Sequence, residues 1–117
     1  MLHHVALEIR FEQLDACMSF YSLLGFEPVD PPPTLADRAA WLEREGTQIH
    51  LMWVDDPVSP PRGHLAVVVA DYEPTFKALD DAGHEPEARR EHWGSPRTHV
   101  RDPAGNLVEL MAFPPGR

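Results

Sequence analysis

The sequence has one cysteine, no long apolar run and a shortage of positive charge, and each lack removes a class of protein. Cys17 alone cannot close an intramolecular disulfide, so the fold must rest on its core. It sits inside a helical apolar pattern, where a thiol behaves as a small buried hydrophobe rather than as a nucleophile. The longest uncharged apolar stretch, residues 65–70, is too short to span a bilayer. The opening Met1-Leu2-His3-His4 lacks the basic flank and long apolar region of a signal peptide, so a soluble, cytoplasmic protein is expected. Acidic residues outnumber basic ones 19 to 10, giving a formal net charge of -9. Polyanions are repelled at long range by such a chain, which excludes nucleic acid and anionic membrane surfaces as expected partners. A length of 117 residues, 43% hydrophobic and 25% charged, fits one compact domain and leaves no room for a second large one.

What the chain has in quantity is proline and histidine, 13 and 7 residues. The prolines bunch at residues 31–33, 57–61 and 114–115, where they punctuate loops and the tail. Between them the chain reads as one pattern written twice. Val5, Leu7 and Ile9 alternate as a strand; Leu14, Cys17, Met18, Tyr21 and Leu24 follow at helical spacing until Gly25 stops them. After Pro28 a proline loop leads to residues 39–42, a turn at Glu45-Gly46 and residues 47–53, together a hairpin. The second copy opens at His64 with Leu65, Val67 and Val69. It continues in a helix starting around Pro74 with Phe76 and Leu79 on its apolar stripe, and stops at Gly83. A loop rich in His, Arg and Gly then leads to a strand over residues 98–101, a turn at Asp102-Pro103-Ala104-Gly105-Asn106 and a final strand over 107–113. Ile49-His50-Leu51-Met52 falls on Val108-Glu109-Leu110-Met111 at the same offset that lays Gly46 on Gly105. The expected organisation is a single domain over residues 1–117: module 1 over 1–56, a Pro-rich linker over 55–62 and module 2 over 63–113.

Strand alternation sends His4, Ala6 and Glu8 to the face opposite Val5, Leu7 and Ile9, which pack under a helix. Applied to the other strands, the rule leaves His50, His64 and Glu109 on the faces without helix cover, alongside His4. Four metal-capable side chains, related in two pairs by the repeat, predict a metal cup. Imidazole with one carboxylate suits a borderline divalent ion, and iron, manganese, nickel, cobalt and zinc all remain open. Such an ion polarises an oxygen or lowers the pKa of bound water. His50 is either the fourth ligand or a base.

The runs Leu2-His3-His4-Val5-Ala6-Leu7, Phe20-Tyr21-Ser22-Leu23-Leu24-Gly25-Phe26, Gly63-His64-Leu65-Ala66-Val67 and Asp102-Pro103-Ala104-Gly105-Asn106-Leu107-Val108-Glu109-Leu110 resemble the vicinal oxygen chelate superfamily. That group includes glyoxalase I, extradiol dioxygenases, methylmalonyl-CoA epimerase, fosfomycin-modifying transferases and bleomycin-resistance proteins. The resemblance implies an α+β fold of paired βαβββ modules forming a curved mixed sheet around a metal site, usually in a homodimer. It also implies His4 rather than His3 as the first ligand, with His64 and Glu109 as others. At His50 the sequence departs from the glyoxalase I pattern, which has a glutamate there. A two-histidine, one-carboxylate set with His50 left over resembles the dioxygenase and fosfomycin-modifying branches.

The repeat offset also pairs Arg38 with Arg97 as residues opening the third strand of each half, and alternation sets His99 and Arg101 beside Arg97. The resemblance turns Arg97 and His99 toward the cavity, where Arg97 can hold a carboxylate, phosphate or enolate and His99 can move a proton. Trp93, in a loop over residues 89–95 with cations and a glycine hinge, is a candidate substrate contact. Trp41 and Trp53 are assigned to packing, and Met52 and Met111 to the cavity lining. The expected function is a small divalent-metal-dependent enzyme that chelates adjacent oxygens of a small-molecule substrate, with lyase, isomerase or epimerase, or oxygenase chemistry. The competing class is a metal-free protein that sequesters a small molecule or drug, as bleomycin-resistance proteins do.

Overall fold

The computed structural model describes residues 1–116 and divides the chain into two compact units, Met1–Ser59 and Pro60–Arg117. The first unit runs β1 (His4–Ile9), a short 3-10 turn (Phe11–Gln13), α1 (Leu14–Leu23), β2 (Glu27–Val29), β3 (Ala39–Arg44) and β4 (Thr47–Trp53). The second runs β5 (Leu65–Val68), α2 (Tyr72–Asp81), β6 (Glu87–Arg89), β7 (Arg97–Arg101) and β8 (Leu107–Met111). Each is a βαβββ module with one mixed four-stranded sheet, ordered β1-β4-β3-β2 in the first and β5-β8-β7-β6 in the second. In both, the opening strand pairs parallel to the last, and the remaining pairs are antiparallel. The fold class is therefore α+β.

Alternation decides which residues enter the core. In unit 1, Ile9, Leu42, Ile49 and Leu51 are buried together with Cys17, Phe20 and Tyr21 of α1. In unit 2, Val67, Val69, Val100, Val108 and Leu110 are buried, with Tyr72 and Leu79 of α2. Removing an apolar side chain of this size from water is worth about 1.5–3 kcal/mol, so these two sets dominate the stability of their units.

The structure corrects three readings of the pattern. The segments after the helices, assigned to loops, contain the edge strands β2 and β6. Each has only three residues, too few for a period of two to register, and Pro28 is tolerated in β2 because an edge strand need not use every N–H. Helix α2 begins two residues before Pro74, which thus lies in the first turn, where no backbone donor is required. Finally, Arg38 does not open β3. The β7–β8 loop is longer than the two-residue Glu45-Gly46 turn, which shifts the repeat, and Arg97 matches Ala39: each faces a methionine, Met111 and Met52. Both Glu45 and Gly46 have positive φ, the geometry of a tight hairpin turn.

Candidate metal centre

The second unit brings three metal-capable groups together through strand register. Glu109 lies in the middle of β8, directly opposite His99 on β7 and Ala66 on β5. His64, two residues before Ala66, projects to the same face. The ligand atoms of His64, His99 and Glu109 lie within 4.8 Å of one another. The register itself is held by the turn that follows β7. Buried Asp102 accepts from the Ala104 and Asn106 amides at 2.9 Å each through Oδ1, and from the Asn106 side chain at 3.1 Å through Oδ2. Gly105, at φ 95°, supplies the left-handed residue that this turn requires.

The proton positions follow from the hydrogen bonds. His64 Nδ1 is 2.8 Å from the Arg62 carbonyl, which only accepts, so this nitrogen carries the proton. Its Nε2 faces Glu109 Oε1 at 3.1 Å, donating its N–H to the carboxylate when no ion is bound, and is the atom that would ligate an ion placed there. His99 Nε2 lies 3.7 Å from the same oxygen and, among the described residues, has no hydrogen-bond partner although it is buried. Two imidazoles thus converge on one carboxylate oxygen. Such a set of electron-pair donors fits a divalent cation with two nitrogen ligands and one oxygen ligand.

Arg97 occupies the other carboxylate oxygen. Its Nε donates to Glu109 Oε2 at 3.1 Å and its Nη1 to the Arg90 carbonyl, while the guanidinium lies 5.8 Å from the centre of the Trp93 ring. Trp93 in turn donates to the Phe113 carbonyl at 2.8 Å, and Ser95 Oγ accepts from the Ala112 and Phe113 amides. The loop that carries Trp93 is thereby tied to the end of β8. Burial raises the Glu109 carboxyl, but the hydrogen bond and charge of Arg97, aided by His64, outweigh it and hold the group below the usual carboxylate range. Burial and then the Arg89 charge lower His99, against a smaller upward pull from Glu109, which keeps the ring neutral and able to ligate.

The first unit holds the other two candidates. His50, buried on β4, is stacked between Trp41 at 3.8 Å and His4 at 4.0 Å. The Gln48 amide donates to Glu43 at 2.9 Å, which turns its oxygen to His50 Nε2 at 2.7 Å and places the ring proton there. Nδ1 therefore keeps the lone pair. Trp41, assigned to packing, instead faces His50 across β3–β4 and lines a hollow of about 200 Å³ with it. Arg38 and Met52 also line it, the exposed Arg38 lying 3.6 Å from Asp37.

Burial, then the charges His4 and His3 acquire, lower His50 to about 4. Its folded value lies below the ordinary value of about 6.5, so the unfolded chain takes up a proton first as pH falls. Stability of the metal-free protein is expected to decline from about pH 6.5 to about pH 4, by up to about 3 kcal/mol on this account. Urea midpoints across that window should show the decline in the parent chain and a flatter profile in His50→Gln.

A sequence profile of the Glyoxalase/Bleomycin resistance protein/Dioxygenase superfamily matches residues 1–110. The chain belongs to this superfamily. A putative glyoxalase family protein from Bacillus anthracis superposes with a TM-score of 0.85, at 24% identity, covering 95% of this chain and 93% of that one. The oxidase ChaP-H2 gives 0.79 at 19% identity, covering 99% and 95%. Glyoxylase I 4 of Arabidopsis thaliana is 30% identical over 91 residues, 70% of this chain and 51% of the relative, so the chain spans about half that protein's length. Superfamily members commonly bind divalent metals. Among the described residues no helix is long and apolar enough to cross a membrane.

The expected ligand set divides by unit: His4 and His50 belong to the first, His64 and Glu109 to the second. His99, expected to move a proton, stands instead with the candidate ligands of the second unit. Arg97, expected on substrate, is engaged with Glu109.

Proposed function

We propose that this superfamily member is a divalent-metal-dependent enzyme acting on a small molecule that offers two adjacent oxygens, with lyase, isomerase or epimerase, or oxygenase chemistry. The observation that carries this reading is the convergence of His64 Nε2 and His99 Nε2 on Glu109 Oε1, with His99 Nε2 buried and otherwise unbonded. His64, His99 and Glu109 hold the ion, which supplies Lewis acidity to bound oxygens. Arg97 holds Oε2 and leaves Oε1 toward the two imidazoles. His50 keeps its Nδ1 electron pair free of the Gln48 bond, and its lowering to about 4 keeps that pair unprotonated and makes the ring a weak base, available as a ligand or as a hydrogen-bond acceptor to substrate. His4 and His50 as further ligands rest on the sequence repeat. We assign both units to a single glyoxalase-like domain, supported by a profile match that spans them. A cytoplasmic homodimer is the proposed state, resting on the superfamily resemblance.

Elemental analysis of untagged protein purified without chelator tests the proposal. About one iron, manganese, nickel, cobalt or zinc per chain is expected, lost in His64→Ala, His99→Ala and Glu109→Ala. The His4→Ala and His50→Ala proteins show whether the first unit contributes. An absence of metal after reconstitution with every ion would favour the metal-free binding reading, for which the hollow beside Trp41 and His50 is the natural seat.

A further inference from the structure

The face of the β5-β8-β7-β6 sheet that carries the three candidate ligands also carries cations. Alternation places Arg89 of β6 and Arg101 of β7 on the side of His99 and Glu109. Arg89 stands diagonal to His99, because Glu87 is the residue directly opposite it, and diagonal neighbours lie within reach of long side chains. A hollow of about 700 Å³ is lined by His64 and His99 and by Arg62, Arg89 and Arg101, against two carboxylates, Glu85 and Glu87. That volume suits a small-molecule ligand. Three guanidinium groups facing two carboxylates leave this hollow positive, on a chain whose formal charge is -9.

The arginines are available to a ligand. Arg101 gives Nη1 to the Gly105 carbonyl, an uncharged acceptor that leaves its charge uncompensated. Arg89 pairs with Glu87 at 3.1 Å, but the two side chains are 46% and 71% exposed, and such a surface pair exchanges readily for a better acceptor. Glu85, in the wall of the hollow, has φ 57° immediately before Pro86, a strained conformation for a residue with a side chain.

We propose that this hollow is a subsite for a second oxyanion: beyond its two adjacent oxygens, the substrate carries a carboxylate or phosphate received at the end of the hollow where Arg62 and Arg101 lie, with Arg89 adding positive charge from the other end. The proposal rests on the metal reading of the same site and specifies its substrate class. A bidentate guanidinium contact selects the planar carboxylate or the phosphate edge over neutral or cationic tails.

Three α-hydroxy acids with the same adjacent oxygens and different tails test it: lactate with a methyl, malate with a carboxylate and 3-phosphoglycerate with a phosphate. Calorimetry on cobalt-loaded protein is expected to show malate or 3-phosphoglycerate binding at least about tenfold more tightly than lactate, as one charge-assisted contact provides. Which of the two is favoured identifies the oxyanion. In the Arg62→Gln, Arg101→Gln double variant, which leaves Arg89 beside His99, the advantage should disappear while cobalt and lactate affinities stay unchanged. Equal affinity for all three acids, or an advantage that survives the double variant, overturns the subsite. If the chain holds no cobalt the metal reading fails separately, and the same acids are titrated into the metal-free protein. Arginine-dependent binding of an acid with a second oxyanion there upholds the subsite, and none overturns it.

Discussion

Asp102→Ala is expected to destabilise the protein by about 3–4 kcal/mol, read as a shift in urea midpoint. The carboxylate is buried and accepts three hydrogen bonds from Ala104 and Asn106 that close the turn between β7 and β8. Each bond to a charged acceptor is worth about 1.5–3 kcal/mol, and the alanine leaves buried donors without a partner. Neighbouring bonds in one turn are not additive, which keeps the total below their sum. The consequence reaches the site, because this turn sets the register that puts His99 opposite Glu109. Metal affinity should therefore fall in Asp102→Ala even though the residue touches no ligand atom. Asp102→Asn keeps acceptor geometry through one oxygen and should recover part of both losses.

Glu109→Ala is expected to cost about 3–5 kcal/mol in the metal-free protein, apart from its loss of metal. The Arg97 and Glu109 side chains are only 12% and 9% exposed, so removing the carboxylate leaves a guanidinium in a largely dry setting. Its bond to the Arg90 carbonyl and its contact with Trp93 remain, which places the loss toward the lower end. A double-mutant cycle with Arg97→Ala separates the pair from the rest: the double variant should be more stable than the two single losses predict. The pH dependence has a definite sign. The folded carboxyl titrates below its unfolded value, so its contribution is present above the unfolded carboxylate range and disappears as pH falls through the folded one. Glu109→Gln should lack that part of the acid profile.

The opposition of His99 to Glu109 was legible in the sequence, although a uniform repeat offset conceals it. Counting back from the Asp102-to-Asn106 turn pairs Arg101 with Leu107 and then His99 with Glu109. The same count from Glu45-Gly46 pairs Trp41 with His50. Turn length, visible in both segments, thus carries the information that would have moved Trp41 from the packing group to the His50 face. His4, His50, His64 and Glu109 stand out as candidates in the sequence because side-chain alternation is a property of any strand. The partner of Arg97 is not legible in the sequence, because a guanidinium beside a strand serves a substrate oxyanion and a buried carboxylate equally well. Burial and distance decide between them, and neither is written in the spacing.

The proline-rich segment between the halves was equally plain, and the division between Ser59 and Pro60 falls inside it. The edge strands were not plain, because β2 and β6 owe their conformation to pairing with β3 and β7 rather than to a pattern of their own.

The most direct measurement is a cobalt(II) titration of chelator-stripped protein followed by visible absorption, with Glu109→Ala and His99→Ala alongside. The account predicts saturation at about one equivalent with bands of a histidine-ligated ion, and loss of that saturable phase in both variants. Saturable binding that persists unchanged in Glu109→Ala, or no saturable binding in the parent chain, would contradict it.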